Sequence, residues 1–84
     1  MIGGSLTDKE YYLLTHPEAW PDRCWLPVVR RGGNAIYHQE DAGIVGRLNV
    51  CRVFAGVYLG GSIRDATMLD YPSPEALLAE WEID

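Results

Sequence analysis

Apolar and polar positions follow two periods along this chain. The longest apolar run, residues 50–59 (VCRVFAGVYL), reads at period 2. Cys51, Val53, Ala55, Val57 and Leu59 fall on one face, and Val50, Arg52, Phe54, Gly56 and Tyr58 on the other. A segment apolar on one face and largely apolar and aromatic on the other predicts a strand in the middle of a sheet, covered on both sides. Residues 25–31 predict a second strand, placed at an edge or beside a bulge because Pro27 has no amide to donate. Gly32-Gly33-Asn34 predicts a hairpin turn, returning as a strand over 35–39 with Ile36 and His38 on one side and Tyr37 on the other. Residues 44–48 and 63–69 predict two more strands, the first interrupted by Gly46 and the second weakened by Asp65.

Two segments change to helical signals. Thr7-Asp8-Lys9-Glu10 has the form of a capping box, with Leu6 and Tyr11 spaced as a hydrophobic staple. The helix predicted from it runs over 8–15, directs Tyr11, Leu13 and Leu14 at the sheet, and stops at His16 because Pro17 follows. Ser73-Pro74-Glu75 predicts an N-cap, a proline at the first helical position and an acid in the first turn. Leu77, Leu78 and Trp81 then form a buried stripe, and the acidic end 82–84 is expected to fray. Three prolines break residues 16–27, which Trp20 and Trp25 pin to the core. The fold expected is α+β: an antiparallel sheet of four or five strands, in the order α-β-β-β-β-β-α, with both helices packed on one face.

Eighty-four residues make one domain, 1–84, with room for one modest core. No apolar stretch reaches membrane-spanning length and no secretory signal opens the chain, so the expected location is the cytoplasm, with no membrane partner. Cys24 and Cys51 are then reduced thiols. The net charge of −5 is unevenly spread. Six arginines between Arg23 and Arg64 face only Glu40 and Asp41, whereas residues 65–84 hold six acids and no base. Acidic ends lying beside an arginine-bearing sheet account for this pattern; an arginine face for an anionic partner is the sharper alternative. Small size, acidity and arginine in place of lysine suit a protein of bacteria or their mobile elements.

Catalytic and metal chemistry find little to work with. His16, Cys24, His38 and Cys51 make a zinc-like set by count, but no two stand two to five residues apart. A Cys24 nucleophile paired with His16 or His38 has no glycine-rich oxyanion loop after it. Glu40, Asp41, Asp65 and Asp70 read as solvated turn and strand-end acids. Residues 52–59, RVFAGVYL, look like the RNP1 octapeptide of RNA-recognition motifs, a family in which an arginine and aromatics on a central strand stack bases. Arg52, Phe54, Ala55 and Val57 match; Val53 stands where glycine is expected and Gly56 where an aromatic is. No RNP2 segment or βαββαβ order accompanies it, and the balance of charge is acidic, so no nucleic acid is expected as a partner. The chain is therefore read as no enzyme, with no metal and no cofactor.

Two short helices cover one sheet face, which leaves the other bearing Tyr37, Arg52, Phe54 and Tyr58. Aromatic residues and arginine are what protein interfaces concentrate. The expected function is protein binding, first as a homodimer through that face and otherwise with a different protein. One alternative is a small-molecule pocket between the sheet and the 20–25 segment, using Trp20, Trp25 and His38. Another is an acidic inhibitor that mimics nucleic acid toward a basic partner.

Overall fold

This computed structural model describes residues 5–84, with side chains from Asp8 onward. Five antiparallel strands form one sheet, and two α-helices accompany it: the α+β class that the sequence predicts. The strands are β1 (Trp25–Arg30), β2 (Ala42–Gly46), β3 (Asn49–Ala55), β4 (Thr67–Asp70) and β5 (Trp81–Ile83). They lie side by side in the order β4-β3-β2-β1-β5. Helix α1 is Ser5–Thr15 and α2 is Pro74–Glu80.

The middle strand is thus β2, not the 50–59 segment. Gly43, Ile44 and Val45 pair with β1 on one side and β3 on the other. Strand β3 ends at Ala55 because Gly56 takes φ +86°, a left-handed conformation that turns the chain away. Val57 and Leu59 therefore leave the strand. Pro27 is not at a sheet edge either, since β1 lies between β2 and β5. Its carbonyl accepts the Asp84 amide, so its missing N–H is directed past Ile83, the last residue of β5.

Residues 35–39 do not form a strand. The Asn34 side-chain oxygen accepts the Ile36 amide, and its carbonyl accepts those of Tyr37 and His38, so local hydrogen bonds coil the segment. Asp41 closes the loop by accepting the Asn34 amide. The fifth strand lies instead at 81–83, after α2, where a frayed end was expected. Trp81 is fully buried and adopts extended geometry, and the Glu80 carbonyl accepts the Arg31 amide, so the chain leaves the helix along β1. Residues 63–65 form a 3-10 turn, and β4 starts only at Thr67.

Helix α1 begins at Ser5, upstream of the expected 8, so Thr7 lies within it rather than at its N-cap; the Leu6 and Thr7 side chains fall outside the described residues. The Glu10 carboxylate, expected in that capping box, binds Arg31 and Ile83 instead. Glu10 is 9% exposed, and its carboxylate accepts from Arg31 Nη2 at 2.7 Å and from the Ile83 amide at 3.1 Å. Tyr11, expected against the sheet, is exposed; Leu14 is buried there with Leu13 packed beside it. The helix stops before His16-Pro17 as predicted. Ser73 caps α2 by accepting the Ala76 amide.

Leu14, Trp20, Leu77, Leu78 and Trp81 pack with Leu26, Val28, Val45, Val53 and Ala55 in one core on the helix face. Gly43 makes room in it. A Cβ there would stand 2.8 Å from Val53 Cγ1, 3.2 Å from Trp81 Cζ3 and 3.3 Å from the Phe54 carbonyl. Gly43→Ala is expected to cost about 1–3 kcal/mol through overpacking, read from urea unfolding. Arg31→Ala strands the Glu10 carboxylate. Removing one member of a buried pair costs about 3–5 kcal/mol, and because a third of the Arg31 side chain remains in solvent the expected loss is about 2–3 kcal/mol. A double-mutant cycle with Glu10→Gln measures it.

Candidate functional site

The sheet face opposite the helices is built from the residues that alternate with the core: Trp25, Pro27 and Val29 on β1, Ala42 and Ile44 on β2, Arg52 and Phe54 on β3, and Met68 and Asp70 on β4. Part of this face is covered, and the cover is neither helix. After Gly56 the chain folds back, so that Val57, Tyr58 and Leu59 line a pocket with Pro27, Val29 and Ala42. Val57 and Ala42 are buried there. The Tyr58 hydroxyl donates to the Ala35 carbonyl at 2.7 Å and the Gln39 side chain to the Gly56 carbonyl at 2.7 Å, which ties this segment to loop 34–41.

At the other end the face is open. A groove of about 540 Å³ lies among Cys24, Trp25, Arg47, Leu48, Phe54 and Ile63. Trp25 and Phe54 meet edge to face with ring centroids 5.9 Å apart. The Trp25 ring reaches this position because its cross-strand neighbour is Gly46; a Cβ there would stand 3.1 Å from Trp25 Cζ3. Leu48 occupies the tip of the turn between β2 and β3 and is 98% exposed.

The two arginines of the groove differ. Arg52 faces Asp70 across β3 and β4 and holds it with two bonds, Nε to Oδ1 at 2.6 Å and Nη2 to Oδ2 at 3.2 Å. These hydrogen bonds hold the Asp70 carboxyl below the usual carboxylate range and raise the Arg52 guanidinium. The Arg47 guanidinium donates to the Arg23 carbonyl, at 3.3 Å, and among the described residues no carboxylate lies within 4.0 Å of it.

The expected interface residues are only partly brought together. Arg52 and Phe54 line the groove; Tyr58 lies on the covering segment and Tyr37 on loop 34–41 at the far end of the face. The expected pocket of Trp20, Trp25 and His38 does not assemble. Trp20 is in the helix-side core, its indole donating to the Leu13 carbonyl, while Trp25 is on the opposite face. His38 is exposed beside Glu40, 3.6 Å away. Leu48, Arg47 and Ile63 escaped the sequence reading, although a leucine between Gly46 and Asn49, in a turn too short to bury it, was a readable signal.

A second polar cluster lies on the helix side. Arg30 stands 4.4 Å over the Trp81 ring and pairs with Asp41 and Glu80, while the Tyr71 hydroxyl accepts from Trp81 and donates to Glu80. Burial pushes the Tyr71 phenol up. Each of these groups is engaged within the fold. Among the described residues no three of His, Cys, Asp and Glu gather as a metal site, and both cysteines are free thiols. No helix is long and apolar enough to cross a membrane among those residues.

Compared with known proteins, the chain matches no family, no curated protein and no solved structure.

Asp70 provides a direct check of the groove wall. Its folded pKa is lowered, so what the pair contributes to stability is present above the unfolded carboxylate pKa and is lost as pH falls through the folded value. A carboxyl-carbon NMR titration is expected to show Asp70 titrating below the usual carboxylate range, and to return it to that range in Arg52→Ala.

Proposed function

We propose that this protein works by binding another protein chain, and first a second copy of itself, through the sheet face opposite its helices. The observation that carries this reading is the uneven covering of that face. The chain uses its own residues 57–59 to cover Ala42, yet leaves Trp25, Phe54 and Ile63 lining an open groove with Leu48 at its rim. Aromatic pairs beside arginine are the composition of binding hot spots, and Leu48 extends the apolar rim of this one.

The acidic-inhibitor reading loses support, because Asp70, Glu80 and Glu82 of the acidic 65–84 segment lie within reach of Arg52, Arg30 and Arg31. A small-molecule reading moves from the Trp20 segment to the Trp25 groove. There a ligand would perturb Trp25 fluorescence and leave the buried Trp20 and Trp81 unchanged.

Light scattering on a sizing column at two concentrations tests the homodimer. Wild type is expected at twice the chain mass and Leu48→Asp at the chain mass. Thermal unfolding of the variant is expected to stay unchanged once dissociation is accounted for, since Leu48 makes no buried contact. Wild type at the chain mass at both concentrations would reject self-association.

A further inference from the structure

The open groove has a counterpart at the opposite end of the same face. Loop 34–41 there carries Ile36, 86% exposed, and Tyr37, 79% exposed, on a rigid frame. Asp41 holds the Asn34 amide, Asn34 holds those of Ile36, Tyr37 and His38, and the Tyr58 hydroxyl holds the Ala35 carbonyl. Two large apolar side chains are thus presented to solvent by a loop whose backbone is already ordered. Ordering cost is what such a contact usually gives up, and here little remains to lose. Charge is arranged to match. Among the described residues, Arg47 beside the groove has no carboxylate within 4.0 Å, while Glu40 beside Tyr37 is exposed and pairs with His38 alone.

We infer that two copies exchange these features across a two-fold axis, the Ile36-Tyr37 loop of each seated in the Trp25–Phe54 groove of the other, with Glu40 of one beside Arg47 of its partner. This rests on the reading that the face joins two copies, and it names what fills the groove. Knob and groove lie at opposite ends of one face, so a two-fold rotation that sets the faces together brings each knob to the other copy's groove and closes the assembly. Charge selects the second copy as occupant: the groove end offers an unpaired cation and the loop end an exposed carboxylate of the same chain. The exchange also brings Tyr37 and Phe54, separate within one chain, into one contact.

Mixing two variants tests it. The loop variant Ile36→Ser with Tyr37→Ser and the groove variant Leu48→Asp change residues that are almost wholly exposed, so both are expected to keep the wild-type circular dichroism. Each alone is expected to weaken the dimer by roughly thirtyfold or more, the scale of a hot spot. Mixed in equal amounts they are expected to form a heterodimer, because the intact loop of the groove variant meets the intact groove of the loop variant. Heterodimer in light scattering and in a tagged pull-down supports the exchange. If the loop variant dimerises like wild type while the groove variant does not, or if both variants are monomeric and remain so when mixed, the exchange is overturned while dimerisation through the face stands. A monomeric wild type overturns both. A dimer unaffected by either variant overturns the exchange and places the interface elsewhere.

Discussion

The carboxylate of Glu10 is the joint through which both helices and the last strand meet. One oxygen accepts from Arg31 and the other from the amide of Ile83, which points outward from the edge of β5. Arg31 in turn donates through Nε to the Leu78 carbonyl near the end of α2, at 2.6 Å. Helix α1, the end of β1, the last turn of α2 and the edge of β5 are thus tied by three charge-assisted hydrogen bonds, of which the Arg31–Glu10 bond is charged on both sides. The arrangement solves two problems at once. An edge strand with unpaired amides invites pairing with other chains, and Glu10 caps that edge at Ile83. A helix carbonyl with no intrahelical donor needs a partner, and Arg31 supplies one at the end of the dipole that prefers a cation.

What depends on that joint is the depth of the core. Trp81 can leave α2 and enter the sheet because the chain is held on both sides of it, at the Glu80 carbonyl by the Arg31 amide and at Ile83 by Glu10. Its ring then lies against Gly43, where no Cβ intervenes, and Arg30 closes over it. An adjacent arginine pair in a strand sends its two side chains to different neighbours. Here one covers the tryptophan and the other locks the helices.

The sheet, the two helices and the proline stop after α1 are legible in the sequence, because they rest on local signals: period, caps and a residue that cannot continue a helix. What depends on distant partners is not. Nothing local in Glu10 distinguishes a capping-box acid from one that binds Arg31 and Ile83. Asn34 looked like a hairpin residue, yet its side chain and the distant Asp41 turn 35–39 into a coil. Trp81-Glu82-Ile83 alternates as a strand does, but its helical spacing from Leu77 and Leu78 is just as visible, and only pairing with β1 decides between them. The candidate site was legible in the same degree. Arg52 and Phe54 were placed by alternation, whereas Trp25 reached them through strand pairing, and Tyr37 and Tyr58 were carried elsewhere by turns at Asn34 and Gly56.

The opposite face shows how an 84-residue chain distributes limited apolar material. Two short helices cannot cover both sides of five strands, so the chain after β3 covers part of the second side. It does so with a left-handed turn at Gly56 and a tyrosine hydroxyl anchored to a carbonyl, and the end near Trp25 stays bare. A bare aromatic groove and a rigid apolar loop on different faces would chain copies head to tail without limit. Placed on one face, at opposite ends, the same two features suit the closed pair proposed above. The covering segment 57–59 lies between them within one chain, and it leaves Ile36 and Tyr37 exposed.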